Sequence, residues 1–402
     1  MAGRRRGSRM VVLWCALLAL LCGLVGCGGP VARDTAAAEV QRLLDRRADA
    51  VLHRDEKAYL TTGRGGVGRA EFENLEDVPL AAWEYRLTRI DRSGPRATAD
   101  VGLRYRLDGY DRGTVDAART LRLERRDGSW YVTSDRPAEG TAEQLWEQGP
   151  VQVARGAHSL VLGVGQAGEE LRRYADLADR AVPAVRDAWG GDWAGRVVVL
   201  VPKSLNGMAA LLGAPASGYR GMAAVTTGEA GASAKAPADR IVINPEAYRV
   251  LGAFGRQVVL THETTHVATR AHTSAATPLW LSEGYADWVG YRGTGRTAEQ
   301  AAPELARAVR AGGLPDALPD DEDFGFGGDA ARLAEAYEGG WLACRMIARD
   351  WGEERLNDFY RAVGAHKDRQ DAVEAALLDV LDTTPAGFTE RWRDYLRDQL
   401  GT

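Results

Sequence analysis

Hydrophobic positions along this chain change period several times, and each change marks an element. From Ala32 to about Gly63 the apolar residues Val40, Leu43, Leu44, Ala48, Val51 and Leu52 recur at helical spacing, with Asp34 and Thr35 as possible caps. Residues 81–134 switch to alternation in "WEYRLTRI", "ATADVGLRYRL", "ARTLRLERR" and "SWYVTSD", divided by turn signals at Ser93-Gly94-Pro95 and Asp127-Gly128. That pattern predicts a curved antiparallel sheet packed on the leading helix. Residues 135–150, "DRPAEGTAEQLWEQGP", hold two prolines and two glycines and read as a connector. Beyond it come short strands in "VQVARG" and "HSLVLGV", a helix from about Gly168 to Trp189, the strand "RVVVLVP", a short helix near Leu205 to Leu212 and the strand "DRIVINP". After Pro245 the pattern is almost purely helical. The expected class is α+β: helix plus antiparallel sheet first, then a small mixed sheet followed by a mainly helical C-terminal half.

The first strands and their "DGSWYV" ending resemble a nuclear transport factor 2-like domain of the cystatin type over residues 34–137. This resemblance rests on pattern alone. With no cluster of His, Asp or Arg to suggest catalysis, a structural or binding role is expected for that unit. Residues 138–150 are then a linker, and 151–402 a second domain. A chain of 402 residues with 45% hydrophobic content accommodates two such units.

The N-terminus changes the picture of where the protein works. Arg4, Arg5, Arg6 and Arg9 precede an apolar run from Val11 to Val25, the layout of an export signal. The run is shorter than the roughly 20 residues a transmembrane helix needs. It closes on Leu24-Val25-Gly26-Cys27, which resembles the lipobox of bacterial lipoproteins. The resemblance implies cleavage after residue 26, lipidation of Cys27, and anchoring on the outer face of a cell membrane. Loss of the four arginines moves the formal charge from -5 to -9, and an acidic protein is a poor partner for nucleic acid. Loss of Cys15 and Cys22 leaves Cys344 as the one ordinary thiol, so the fold is expected to stand without disulfides. Two further loops read as solvent-facing: a small-residue stretch at 227–238, expected to be mobile, and an acidic stretch at 315–329 whose spacing does not match a calcium loop.

The chemistry concentrates in "VVLTHETTHV", residues 258–267. Residues four apart share a helix face, so His262 and His266 can offer ring nitrogens to one ion. Glu263 is offset by one residue, where it can reach a water beside that ion. This is the His-Glu-x-x-His arrangement, with two histidines for zinc and a glutamate as general base. The third ligand has two candidates. His272 follows His266 by six residues, but that route requires a glycine at 269 to turn the chain, and Thr269 stands there. The other is Glu283 in "PLWLSEGYADWVGY", residues 278–291, a second apolar helix. A carboxylate on a buried face needs a cation or a partner. Asp287, one turn later, is placed to accept the remaining ring N–H of one of the histidines.

With "HETTH" and "WLSEGYADW", the region 151–402 resembles the gluzincin metallopeptidases of the thermolysin-like MA clan. That resemblance implies a zincin-like fold, zinc on His262, His266 and Glu283, Glu263 as base, and a peptide or protein substrate. "AYEGGWLA", residues 336–343, is similar to a Tyr-Glu-x-Gly segment of gluzincin aminopeptidases and implies that the Tyr337 hydroxyl helps hold the oxyanion. The Gly-x-Met-Glu-Asn segment of those enzymes is absent, which tilts the expectation toward an endopeptidase. "DRIVINP", 239–245, is expected as the edge strand along which a peptide pairs. The rival expectation is a non-catalytic cell-surface binding or scaffold lipoprotein with a structural or vestigial zinc site.

Overall fold

The computed structural model describes residues 35–228, 239–325 and 329–401. Cys27 with the rest of the signal, Asp34 and most of the 227–238 loop lie outside the described residues. Among the described residues, no helix is long and apolar enough to cross a membrane.

The chain opens with helix α1 (Thr35–Leu52) and two short helices, α2 (Glu56–Thr61) and α3 (Arg69–Asn74). Four strands follow, β1 (Leu80–Ser93), β2 (Arg96–Leu107), β3 (Val115–Arg126) and β4 (Ser129–Pro137), paired antiparallel in sequence order. Alternation drives this sheet: in β2 every second residue from Ala97 to Leu107 is buried, the signature of a strand with one face on a core. Arg47 of α1 sits fully buried over the Tyr59 ring, 3.9 Å from its centroid, inside a charged cluster with Arg119, Glu71 and Asp135. Residues 138–150 pack as well, with Leu145 and Trp146 buried.

The second sheet holds β5 (Val151–Arg155), β6 (Ser159–Val164), β7 (Val197–Val201), β8 (Ala224–Thr226) and β9 (Arg240–Ile243), in the order β5-β6-β7-β9-β8. Its centre, β6-β7-β9, is parallel, and both outer strands run antiparallel. Between these strands lie α4 (Gly168–Trp189) and α5 (Leu205–Leu212). Here the expectation for 239–245 fails: β9 is an inner strand, and the edge belongs to β8, three residues with no alternating signature long enough to read.

The remainder is helical: α6 (Pro245–Val250), α7 (Ala253–Thr269), α8 (Leu279–Tyr291), α9 (Ala298–Ala301), α10 (Pro303–Arg310), α11 (Ala330–Asp350), α12 (Glu353–Gly364), α13 (Ala372–Leu381) and α14 (Pro385–Leu400). The whole is thus mixed α+β with an antiparallel sheet and a helical C-terminal half. Each face of the second sheet has its own partner. Val161, Val199, Ile241 and Ile243 pack with Leu171, Ala178 and Leu260 from α4 and α7. Leu160, Leu162, Val164 and Val198 share one continuous core with α1 and the first sheet. The two units also meet through a buried ion pair. Arg240 of β9 donates to both carboxylate oxygens of Asp111, at 2.7 and 2.8 Å, and Asp111 also accepts the N–H of Leu107.

Candidate metal centre

Helix α7 carries "THETTH" into the interior, and its threonines make that possible. Thr261, Thr264, Thr265 and Thr269 each turn their hydroxyl back to a carbonyl one turn earlier, at 2.7 to 3.1 Å, so no buried hydroxyl on that face is left without a partner. Helix α8 starts after Pro278 and crosses both α7 and α11 closely. At the α8–α11 crossing a Cβ on Gly284 would lie 2.3 Å from the Gly340 backbone, and one on Gly340 would lie 2.6 Å from the Trp280 carbonyl. Only glycine at both positions permits this approach, and it seats Glu283 beside the α7 histidines.

Three side chains converge there. The Nε2 atoms of His262 and His266 are 3.0 Å apart, and Glu283 Oε2 lies 3.2 Å from the first and 3.6 Å from the second. Among the described residues, this is the group of three that could hold a metal, its donor atoms all within 4.8 Å of one another. The imidazole planes stand 79° apart. His262 Nδ1 is 2.8 Å from Asp287 Oδ1. When Nδ1 keeps its hydrogen for Asp287, His262 Nε2 presents a bare lone pair to the carboxylate of Glu283. Acceptor facing acceptor in a buried pocket calls for a cation between them. Burial works against charge on His262, but the Asp287 and Glu283 carboxylates outweigh it and raise its pKa well above the ordinary value. Burial likewise works against ionised Glu283, yet the His266 and His262 rings hold its carboxyl well below the usual range. The donor set of two imidazoles and one carboxylate suits Zn2+ and leaves a coordination position open.

The other expected residues lie as follows. His272 stands apart, in a single turn of tight helix over Arg270–His272, against the Trp189 ring and 3.7 Å from Asp192. It is the disfavoured alternative to Glu283 as third ligand, and it lies outside the group that could hold a metal. Glu263 is buried next to the histidines. Tyr337 of α11 lines the same cavity of about 510 Å³ as His262, His266, Glu283 and Asp287, with its ring against Phe324. A second cavity of about 310 Å³ meets the first at His266 and Glu283 and is lined by Thr226, Arg270 and Arg369. One neighbour had no sequence signal: Thr226 of β8 places its hydroxyl oxygen 2.6 Å from Glu263 Oε2. Cys344 is buried in α11, and burial pushes its thiol well above the ordinary pKa, away from the reactive thiolate.

Asp287→Asn removes the negative charge behind His262 and is expected to weaken zinc affinity about 10- to 100-fold. Competition with a chromophoric chelator measures this, and an unchanged affinity would remove Asp287 from the site.

No known family's sequence profile matches this chain, and no curated protein matches it. Its neighbours among solved structures are M1 zinc metallopeptidases, of the gluzincin class, at low identity. The M1 zinc metallopeptidase from Deinococcus radiodurans is 16% identical over 75% of this chain and 61% of its own, with a TM-score of 0.36. A two-domain M1 zinc metallopeptidase variant bound to L-arginine is 14% identical over 68% of this chain and 58% of its own, with a TM-score of 0.35. Yeast LTA4 hydrolase is 13% identical over 68% of this chain and 42% of its own, with a TM-score of 0.34. This chain therefore spans less than two thirds of the length of each. Such values say nothing of activity, which has to be read from the chain's own residues.

Proposed function

We propose that this protein is a zinc-dependent metallopeptidase, held at the outer face of a cell membrane through lipidated Cys27. The observation that carries the catalytic reading is the convergence of His262 Nε2, His266 Nε2 and Glu283 Oε2 from two helices, with buried Glu263 next in sequence to His262. A purely structural site has no use for that fourth, proton-accepting side chain.

His262, His266 and Glu283 would hold the ion, and Asp287 would keep His262 in the tautomer that turns Nε2 inward. Zinc in that position supplies Lewis acidity, lowering the pKa of a water toward about 7 and polarising a substrate carbonyl. Glu263 takes the proton of the attacking water as its oxygen bonds to the carbonyl carbon. The same carboxyl then delivers that proton to the amide nitrogen as the C–N bond breaks, so one residue serves both halves of the hydrolysis. Tyr337, on the wall of the shared cavity, is the donor for the developing oxyanion. Cavities on both sides of His266 and Glu283 give a peptide room to continue past the scissile bond in either direction, which supports endopeptidase action.

The test is incubation of the purified protein with a mixed peptide pool, with and without chelator. Cleavage that disappears with chelator and returns with zinc is the expected result. Bound zinc with no chelator-sensitive cleavage of any peptide would instead mark a non-catalytic binding lipoprotein.

A further inference from the structure

Thr226 stands at the end of the edge strand β8, 37 residues before the glutamate it touches. Its side chain is buried, at 2% exposure, and its Oγ1 lies 2.6 Å from Glu263 Oε2 and 3.1 Å from the Glu263 carbonyl. A threonine hydroxyl has one proton to give. The carbonyl belongs to the hydrogen-bond ladder of α7, so the shorter, charge-assisted contact to the carboxylate takes the proton.

The strand that holds Thr226 is fixed from two sides. Thr226 pairs with Ile241 of β9, and the next residue closes the ladder: Thr227 N–H donates to the Arg240 carbonyl at 2.8 Å, while Thr227 Oγ1 accepts from Arg240 N–H at 2.9 Å. Arg270, one turn beyond His266 and capping the C-terminus of α7, donates to the Thr227 carbonyl at 3.1 Å and is ion-paired with Asp239. Strand and helix are thus tied together immediately beside the Thr226–Glu263 contact. The hydroxyl does not float; it is delivered to one carboxylate oxygen by backbone pairing.

We propose that Thr226 is a positioning residue for Glu263, holding Oε2 so that proton exchange during hydrolysis runs through the other oxygen. The inference rests on the peptidase reading above. A carboxylate pinned at one oxygen has one rotamer and one remaining basic edge, and a general base contributes fully only when that edge faces the proton it takes. An ordinary edge-strand threonine would give the same burial and packing but no effect on turnover when its hydroxyl alone is removed.

Thr226→Val keeps the β-branched shape and deletes the donor. It is expected to lower kcat about 10- to 100-fold, the range for a hydrogen bond to a charged group, with KM and zinc affinity unchanged. Thr226→Ser restores the donor and is expected to recover most of kcat. In crystals of the metal-free Thr226→Val protein, the Glu263 side chain is expected to leave its single wild-type rotamer. Wild-type kcat in Thr226→Val, a serine variant no better than the valine one, or an unmoved Glu263 side chain would each overturn the proposal. Failure of the underlying reading looks different, because then the wild-type protein lacks chelator-sensitive cleavage or Glu263→Gln retains it. An inactive Glu263→Gln beside a fully active Thr226→Val overturns this inference alone.

Discussion

Glu263→Gln is expected to lower kcat by about 100- to 10,000-fold while leaving zinc bound. The amide has nearly the shape of the carboxylate, and its oxygen can still accept from Thr226, so packing and the hydrogen bond at 2.6 Å both survive. It cannot take a proton from water at neutral pH. None of the three donor atoms that could hold a metal belongs to residue 263, so metal content is expected to stay at the wild-type level. Peptide turnover and elemental analysis on the same preparation check both halves. A variant that loses its metal would show Glu263 to be part of the ion site, and one that keeps its activity would show another group to be the base.

Asp111→Ala is expected to destabilise the fold by about 3–5 kcal/mol, the largest effect foreseen for a residue far from the chemistry. The change removes the carboxylate that pairs with the Arg240 guanidinium, and both side chains of the pair are almost fully buried. It also leaves the Leu107 N–H without its acceptor. Most of the loss comes from a buried guanidinium deprived of its carboxylate, so replacing both partners with apolar residues of similar size should recover much of it. Urea unfolding of the wild type, the single variant and the double variant measures each step. A single variant as stable as the wild type would mean that the two units do not depend on this pair. Arg240 backbone groups also pair with Thr227, next to the residue that touches Glu263.

The sequence showed some of this and hid the rest for physical reasons. Period-2 alternation marked β1 to β4, and helical periodicity marked α4 and α5, because long regular elements repeat their signal many times. Strand β8 has three residues and repeats nothing, so the edge was assigned to its neighbour β9. The one-turn spacing of His262 and His266 was legible because a helix converts spacing into a shared face. Contacts between distant segments carry no such rule. Thr226 with Glu263, and Asp111 with Arg240, 129 residues apart, are brought together only by sheet pairing and by the packing of one unit on the other. Arg47 lies fully buried, because Glu71 and Asp135 arrive from segments whose approach no local pattern announces. The need for glycine at 284 and 340 comes from the crossing of α8 and α11, which no local pattern announces.

The central claim is that His262, His266 and Glu283 hold one divalent ion. Anomalous diffraction at the zinc absorption edge, from crystals of the protein grown with zinc, tests it most directly. The account predicts a single strong peak within bonding distance of His262 Nε2, His266 Nε2 and Glu283 Oε2. No peak at that point, or a zinc ion held by other residues with Glu283 turned away, would contradict it.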